Sequence, residues 1–242
     1  MNRLCILLSF LISLLFVHAE TYVVCVGIGN YADPKVQNLT KTEADAKAIA
    51  EFYKKGTKNV IVITGKYATK SQIVKSLKSQ FARAKTNDKI VFFYSGHGYP
   101  GGFCPYEMTK FEDGLKYSEV LAIMRNSKAR SKFFFADACH SGSIRQRDSC
   151  TIPEAGNVLL FLSSRGNEYS AENPFLSNGY FTKYLLRGLG GGADVNRDKR
   201  ITARELFNYV SDAVKSQTNN RQHPVMWGKF DDNLVIAEYH KK

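Results

Sequence analysis

Apolar runs alternate with helically spaced apolar stripes along most of this chain. Thr21 to Ile28 reads TYVVCVGI, the continuous apolar run that a parallel strand covered on both faces requires. Glu43 to Lys55 follows with Ala46, Ile49, Ala50 and Tyr53 at helical spacing and stops before Gly56. The alternation then repeats. Asn59 to Thr64 predicts a strand, Lys70 to Lys85 a helix with Ile73, Val74, Leu77 and Phe81 on one stripe, and Lys89 to Tyr94 a strand. A helix over Ser118–Asn126, strands over Lys132–Ala136 and Asn157–Leu162, helices over Tyr180–Leu189 and Ala203–Ser216, and a strand over Asn233–Ala237 complete the series. Such a series predicts an α/β domain of three layers, a mostly parallel six-stranded sheet flanked by helices. Ligands of such sheets bind beyond the carboxyl ends of the strands.

The first nineteen residues stand outside this pattern. Met1-Asn2-Arg3 is a short positive region, Leu4 to Val17 is almost wholly apolar, and Val17-His18-Ala19 offers a cleavage site. Residues 1–19 therefore read as a secretory signal peptide, and 20–242 as one exported domain, secreted or periplasmic. An uncleaved membrane anchor is the competing reading; with the signal removed, no stable membrane span is expected.

Charge and cysteines change the picture modestly. The chain carries a formal +12; losing Arg3 with the leader leaves +11. Its Lys and Arg residues are scattered over helix faces and loops without aromatic interleaving, so a solvated basic surface is expected rather than a nucleic-acid partner. The mature chain keeps Cys25, Cys104, Cys139 and Cys150. Cys25 lies inside an apolar strand and reads as a small buried hydrophobe. Cys139 is flanked by turn residues at a strand end and is better kept free, which leaves Cys104 and Cys150 as the candidate disulfide.

Chemistry concentrates just past two strands. Tyr94-Ser95-Gly96-His97-Gly98 follows the third strand and Asp137-Ala138-Cys139-His140-Ser141-Gly142 the fourth. If the strands are neighbours, His97 and Cys139 face each other on the sheet rim. A thiol must become a thiolate to attack a carbonyl, and an imidazole can take its proton and later protonate the leaving amine. The backbone N–H groups of Gly98 and Cys139 are candidates for an oxyanion hole. His140 is expected to point away from its neighbour and to serve local hydrogen bonding.

The two segments, 42 residues apart from histidine to cysteine, resemble the caspase-like clan, and most of all metacaspases and related bacterial proteins. The resemblance runs from Thr21 to about Tyr239 and takes in Leu162-Ser-Ser-Arg-Gly-Asn-Glu168 and Gly179-Tyr-Phe-Thr-Lys-Tyr-Leu-Leu-Arg-Gly-Leu189. It implies a caspase-haemoglobinase fold and a cysteine endopeptidase with a His97–Cys139 dyad. Where the caspase signature has Gln two residues before the nucleophile, this chain has Asp137. An acidic P1 side chain would meet like charge there, whereas Arg or Lys would form a charge-assisted pair. The metacaspase pocket uses a second aspartate, and Asp45 is the matching position; two carboxylates around one guanidinium favour Arg. Each aspartate also has a structural reading, Asp45 in a first helical turn and Asp137 in a turn. Ser163 is expected to contact the substrate backbone. Ser143 to Gly156 holds Arg145 and Arg147 in the region where family members are processed, so self-cleavage is expected there. The rivals are a legumain-like or other clan peptidase with a different P1 choice, and a non-catalytic scaffold that keeps the fold.

One further motif bears on cofactors. Asp194, Asn196, Asp198 and Glu205 occupy positions one, three, five and twelve of a calcium loop. Lys199 stands where such loops need Gly, and no partner loop is present. The competing reading is a capping box, with Thr202 and Glu205 opening the next helix. The acidic loop through which many metacaspases respond to calcium is replaced by Tyr99-Pro-Gly-Gly-Phe-Cys-Pro-Tyr-Glu107. No cofactor is expected, with calcium the one candidate metal.

Overall fold

The computed structural model describes residues 19–138, 157–164, 177–228 and 231–239. Its main sheet holds β1 (Thr21–Gly27), β2 (Val60–Thr64), β3 (Lys89–Ser95), β7 (Ser131–Asp137), β8 (Val158–Leu162) and β10 (Val225–Trp227), in the order β10-β8-β7-β3-β1-β2. All neighbours are parallel except β10, which runs antiparallel on the outside of β8. The expected three-layer sheet is present with six strands.

Period-two alternation inside the apolar runs decides which helices cover which face. Tyr22, Val24 and Val26 of β1, Ile90 and Phe92 of β3, and Phe134 and Ala136 of β7 share one core. α2 (Lys70–Phe81) and α3 (Tyr117–Asn126) close it with Ile73, Leu77, Phe81, Val120, Leu121 and Met124. The alternate residues, Val23, Cys25, Val91, Phe93, Phe133 and Phe135, face α1 (Thr42–Lys54), α4 (Tyr180–Arg187) and α5 (Ala203–Gln217). Cys25 is fully buried among them, and burial drives its thiol pKa far above the ordinary range. It packs as the small hydrophobe expected.

Two short sheets stand beside the main one. β4 (Gly98–Tyr99), β5 (Gly102–Phe103) and β6 (Leu115–Lys116) form an antiparallel ribbon directly after β3. Buried Phe103 anchors it, stacking on Tyr94 with ring centroids 4.1 Å apart and meeting Phe134 at 5.8 Å. β9 (Arg200–Thr202) pairs with β11 (Val235–Glu238). This corrects the expected placement of the last strand: Asn233–Ala237 does not join the main sheet, whose sixth member is Val225–Trp227. Three half-buried residues after Pro224 are too short to show a period, and only an edge beside β8 makes them a strand.

Element ends follow local chemistry. The Thr69 side chain caps α2 by accepting from the Gln72 N–H at 3.2 Å. α2 stops at Phe81, four residues before the expected end, and Ala84 and Asp88 turn the chain into β3 instead. At the carboxyl end of β1, a Cβ on Gly27 would lie 2.4 Å from the Thr42 carbonyl and 2.8 Å from the Ala46 Cβ. Glycine here lets the first turn of α1 lie against the rim of the sheet.

Candidate active site

Strand register brings the rim together. Gly27, Ser95 and Asp137 are partners across β1, β3 and β7, so they form one row at the carboxyl edge. His97 lies two residues beyond that row, and Ala138 is the last described residue of the β7 extension. Cys139, His140, Cys150 and the segment 143–156 fall outside the described residues, so the proposed nucleophile, its neighbouring histidine, the Cys104–Cys150 pairing and the self-cleavage sites have no geometry to report. Residues 1–18 of the expected leader lie outside them too.

Backbone and ring contacts both hold His97. Its N–H donates to the Tyr31 hydroxyl at 2.7 Å, its carbonyl lies 3.1 Å from the Tyr94 hydroxyl, and its ring tilts against the Tyr31 ring at 5.1 Å. Ring Nε2 is 2.7 Å from the Gln37 carbonyl oxygen. A carbonyl only accepts, so Nε2 carries the proton in the neutral ring, and Nδ1 is the nitrogen with a lone pair. Burial and the neighbouring Tyr31 raise the Tyr94 phenol well above its ordinary pKa, so it stays a neutral hydrogen-bond donor.

Gly98 opens the outer strand of the β4–β5–β6 ribbon. Cys104 N–H donates to the His97 carbonyl at 3.0 Å, which makes Gly98 and Phe103 a non-hydrogen-bonded pair. The Gly98 N–H therefore points away from β5.

Asp45 and Asp137, ninety-two residues apart in sequence, converge here. Asp45 is 2% exposed and accepts from the Ser95 hydroxyl at 3.0 Å, Asn178 Nδ2 at 2.9 Å and the Gly179 N–H at 3.1 Å. Asp137 is 8% exposed and accepts from the Thr182 hydroxyl at 2.8 Å and its N–H at 3.2 Å. Both carboxylates thus sit at the amino end of α4, where backbone N–H groups and the helix dipole favour negative charge. They also face each other: a Cβ on Gly179 would lie 2.8 Å from Asp137 Oδ2 and 3.4 Å from Asp45 Oδ2. Burial first, and the Asp137 charge second, push Asp45 up to about 7 against three neutral donors that lower it.

Ser163 follows β8 and packs beneath the end of β7. It is fully buried; its hydroxyl lies 3.1 Å from the Ala138 N–H and 3.2 Å from the Ala138 carbonyl. Its own carbonyl accepts from Gln222 Nε2 at 2.9 Å. Ser163 braces the residue before Cys139.

Residue-type reasoning missed Tyr31, Gln37, Ser95, Asn178 and Thr182. Ser95 and Thr182 lie in the motifs that carried the resemblance, Tyr94-Ser-Gly-His-Gly and Gly179-Tyr-Phe-Thr. Tyr31, Gln37 and Asn178 have no local signal, because a loop carbonyl or a side-chain amide acquires meaning only from what it touches.

The Asp194–Glu205 loop closes largely on itself. Asp194 accepts from the Lys199 and Asp198 N–H groups and from the Tyr239 hydroxyl at 2.7 Å. Thr202 and Glu205 form the expected capping box at the start of α5. Arg197 and Lys199 are both left-handed, with φ of 61° and 66°.

Residues 21–235 match the family model for the caspase domain. The chain belongs to the caspase-domain family. Its caspase domain superposes on caspase-1 from Spodoptera frugiperda with a TM-score of 0.65 at 16% identity, covering 93% of this chain and 92% of that one. It matches a structural-genomics protein from Geobacter sulfurreducens equally well, with a TM-score of 0.65 at 20% identity over 88% of this chain and 95% of that one. No curated protein matches it. The family implies a cysteine peptidase acting on proteins. Among the described residues of the caspase domain, no helix is long and apolar enough to cross a membrane.

Proposed function

We propose that the chain is an exported, metacaspase-like cysteine endopeptidase that cleaves after Arg or Lys. The observation that carries this reading is the pair of buried carboxylates, Asp45 and Asp137, meeting beside Gly179 on the rim that bears His97. The donors around Asp45 are all neutral, so its charge is stabilised by hydrogen bonds without a resident cation. A P1 guanidinium would supply that cation and, with its planar fork, address both carboxylates. An acidic P1 group would add a third negative charge to a desolvated site.

The chemistry follows from the His97 tautomer. With Nε2–H held by the Gln37 carbonyl, Nδ1 takes the proton of the Cys139 thiol, and the thiolate attacks the P1 carbonyl carbon. The carbonyl electrons move onto oxygen, which the N–H groups of Gly98 and Cys139 stabilise; one such donor is worth about 3–4 kcal/mol of barrier. Collapse breaks the C–N bond, His97 Nδ1–H protonates the departing amine, and a thioester remains. Water, deprotonated by Nδ1, then cleaves the thioester and restores the thiol. Ser163 holds Ala138, the residue before the nucleophile in sequence. In the same reading residues 1–19 are a cleaved signal, processing falls at Arg145 or Arg147, and Asp194–Glu205 is the one candidate calcium loop.

The test is a fluorogenic peptide panel differing only at P1 (Arg, Lys, Asn, Asp), with and without calcium, on residues 20–242 and its Cys139→Ala and His97→Ala variants. Hydrolysis after Arg and Lys, abolished in both variants, is expected. Cleavage after Asn or Asp would keep the peptidase and discard the pocket. Silence across the panel, persisting after deliberate proteolytic nicking within 143–156, would leave a non-catalytic caspase fold.

A further inference from the structure

An apolar recess among the described residues lies at the opposite end of the sheet from His97. Lys89 opens β3 and Ser95 closes it, so the two ends are about 20 Å apart at the rise of a strand. The cavity holds about 480 Å³ and is walled by Phe52, Tyr53, Phe133, Leu189 and Ile236, with Lys89 among them. That volume falls in the range of small-molecule sites, which combine apolar walls with a few placed polar groups.

Lys89 is that polar group. Its Nζ makes one hydrogen bond, a long one of 3.4 Å to the Ile236 carbonyl, although an ammonium has three protons to place. Burial lowers its pKa, partly countered by Glu238. Glu238 also borders the cavity, but its side chain is 55% exposed and is bound by Arg200 at 3.4 Å. Lys55, exposed, stands at the cavity wall as well. The charges in and beside the recess (Lys89, Lys55 and Arg200 against Glu238) sum to positive, with Lys89 the least hydrated.

We propose that this cavity binds a single-chain amphiphile with a carboxylate head, its chain among Phe52, Phe133 and Leu189 and its carboxylate on Lys89. An apolar tail matches the aromatic and aliphatic walls, and an anionic head completes the ammonium that the Ile236 carbonyl serves poorly. A neutral amphiphile leaves Lys89 unserved, and a cationic one is repelled by it.

Calorimetric titration of the Cys139→Ala protein with dodecanoate, dodecanol and dodecyltrimethylammonium, each below its micelle concentration, tests this independently of peptidase activity. One dodecanoate per chain is expected, bound about tenfold or more tightly than dodecanol, with no binding of the ammonium. Lys89→Met keeps the stem and removes the charge. It is expected to erase the preference for dodecanoate while leaving dodecanol affinity unchanged, and Lys89→Arg to restore much of the preference. Circular dichroism and urea unfolding establish that both variants fold. Equal binding of acid and alcohol, undiminished dodecanoate affinity in Lys89→Met, or no binding of dodecanoate would each overturn the assignment.

Discussion

Removing the Asp45 charge should stabilise the protein and, if the proposed pocket is right, weaken its preference for Arg substrates. Asp45 rises from 3.8 to about 7 in the native fold because it is buried and faces Asp137. Below about pH 4 the native and unfolded chains both hold this proton, and the group has no effect. Between about pH 4 and pH 7 the unfolded chain releases it and the native chain keeps it, so stability falls as pH rises. Above about pH 7 the penalty is complete. Three pH units at about 1.4 kcal/mol each make it about 4 kcal/mol, an upper bound because part of the repulsion belongs to Asp137. Asp45→Asn suits the site: Oδ1 still accepts from Asn178 and Gly179, and the new amide donates to the Ser95 hydroxyl where Oδ2 had accepted from it. Urea unfolding at pH 5, 6, 7 and 8, with Cys139→Ala in both proteins to prevent autolysis, gives the slope directly. The parent should lose stability across this window and the variant should lose far less. In active protein, Asp45→Asn should cut kcat/KM for Arg peptides, and the parent's kcat/KM should climb through pH 7 as Asp45 ionises. An Asp45→Asn protein with the parent's pH slope would mean that Asp45 is already ionised at pH 5, and would refute the account of the acidic pair.

Three further outcomes follow from single contacts. Gly179→Ala puts a methyl 2.8 Å from Asp137 Oδ2; peptide kinetics should show KM for Arg substrates rising steeply with little change in kcat. Tyr31→Phe removes the hydroxyl that holds the His97 N–H at 2.7 Å and leaves the ring; kcat should fall by up to about tenfold with KM unchanged. Ser163→Ala deletes a buried partner of the Ala138 N–H and carbonyl. It should cost about 1–3 kcal/mol in urea unfolding and lower activity more than stability alone explains.

Layer order was legible before any coordinates, because it rests on local periodicity. The runs at Thr21, Asn59, Lys89, Lys132 and Asn157 are strands since each is apolar on both faces, and the rim rule then directs attention to His97, Gly98 and Asp137. Asp45 came only from resemblance: an acidic residue in a first helical turn has an adequate local explanation. The edge strand Val225–Trp227 and the ribbon after His97 escaped the pattern because two or three residues carry no period; neighbours make them strands. The Ser163 contacts had no local signal, because a serine past a strand end looks presented to solvent and only tertiary packing puts Ala138 over its hydroxyl. The sequence by itself determined the alternation, the core faces and the chemical groups on the rim, for these are properties of neighbours along the chain. Tertiary structure alone decided which ring nitrogen of His97 is free, how Asp45 meets Asp137, and why Lys89 lies in an apolar recess. Hydrogen-bond partners and burial are set by residues distant in sequence, and protonation follows from them.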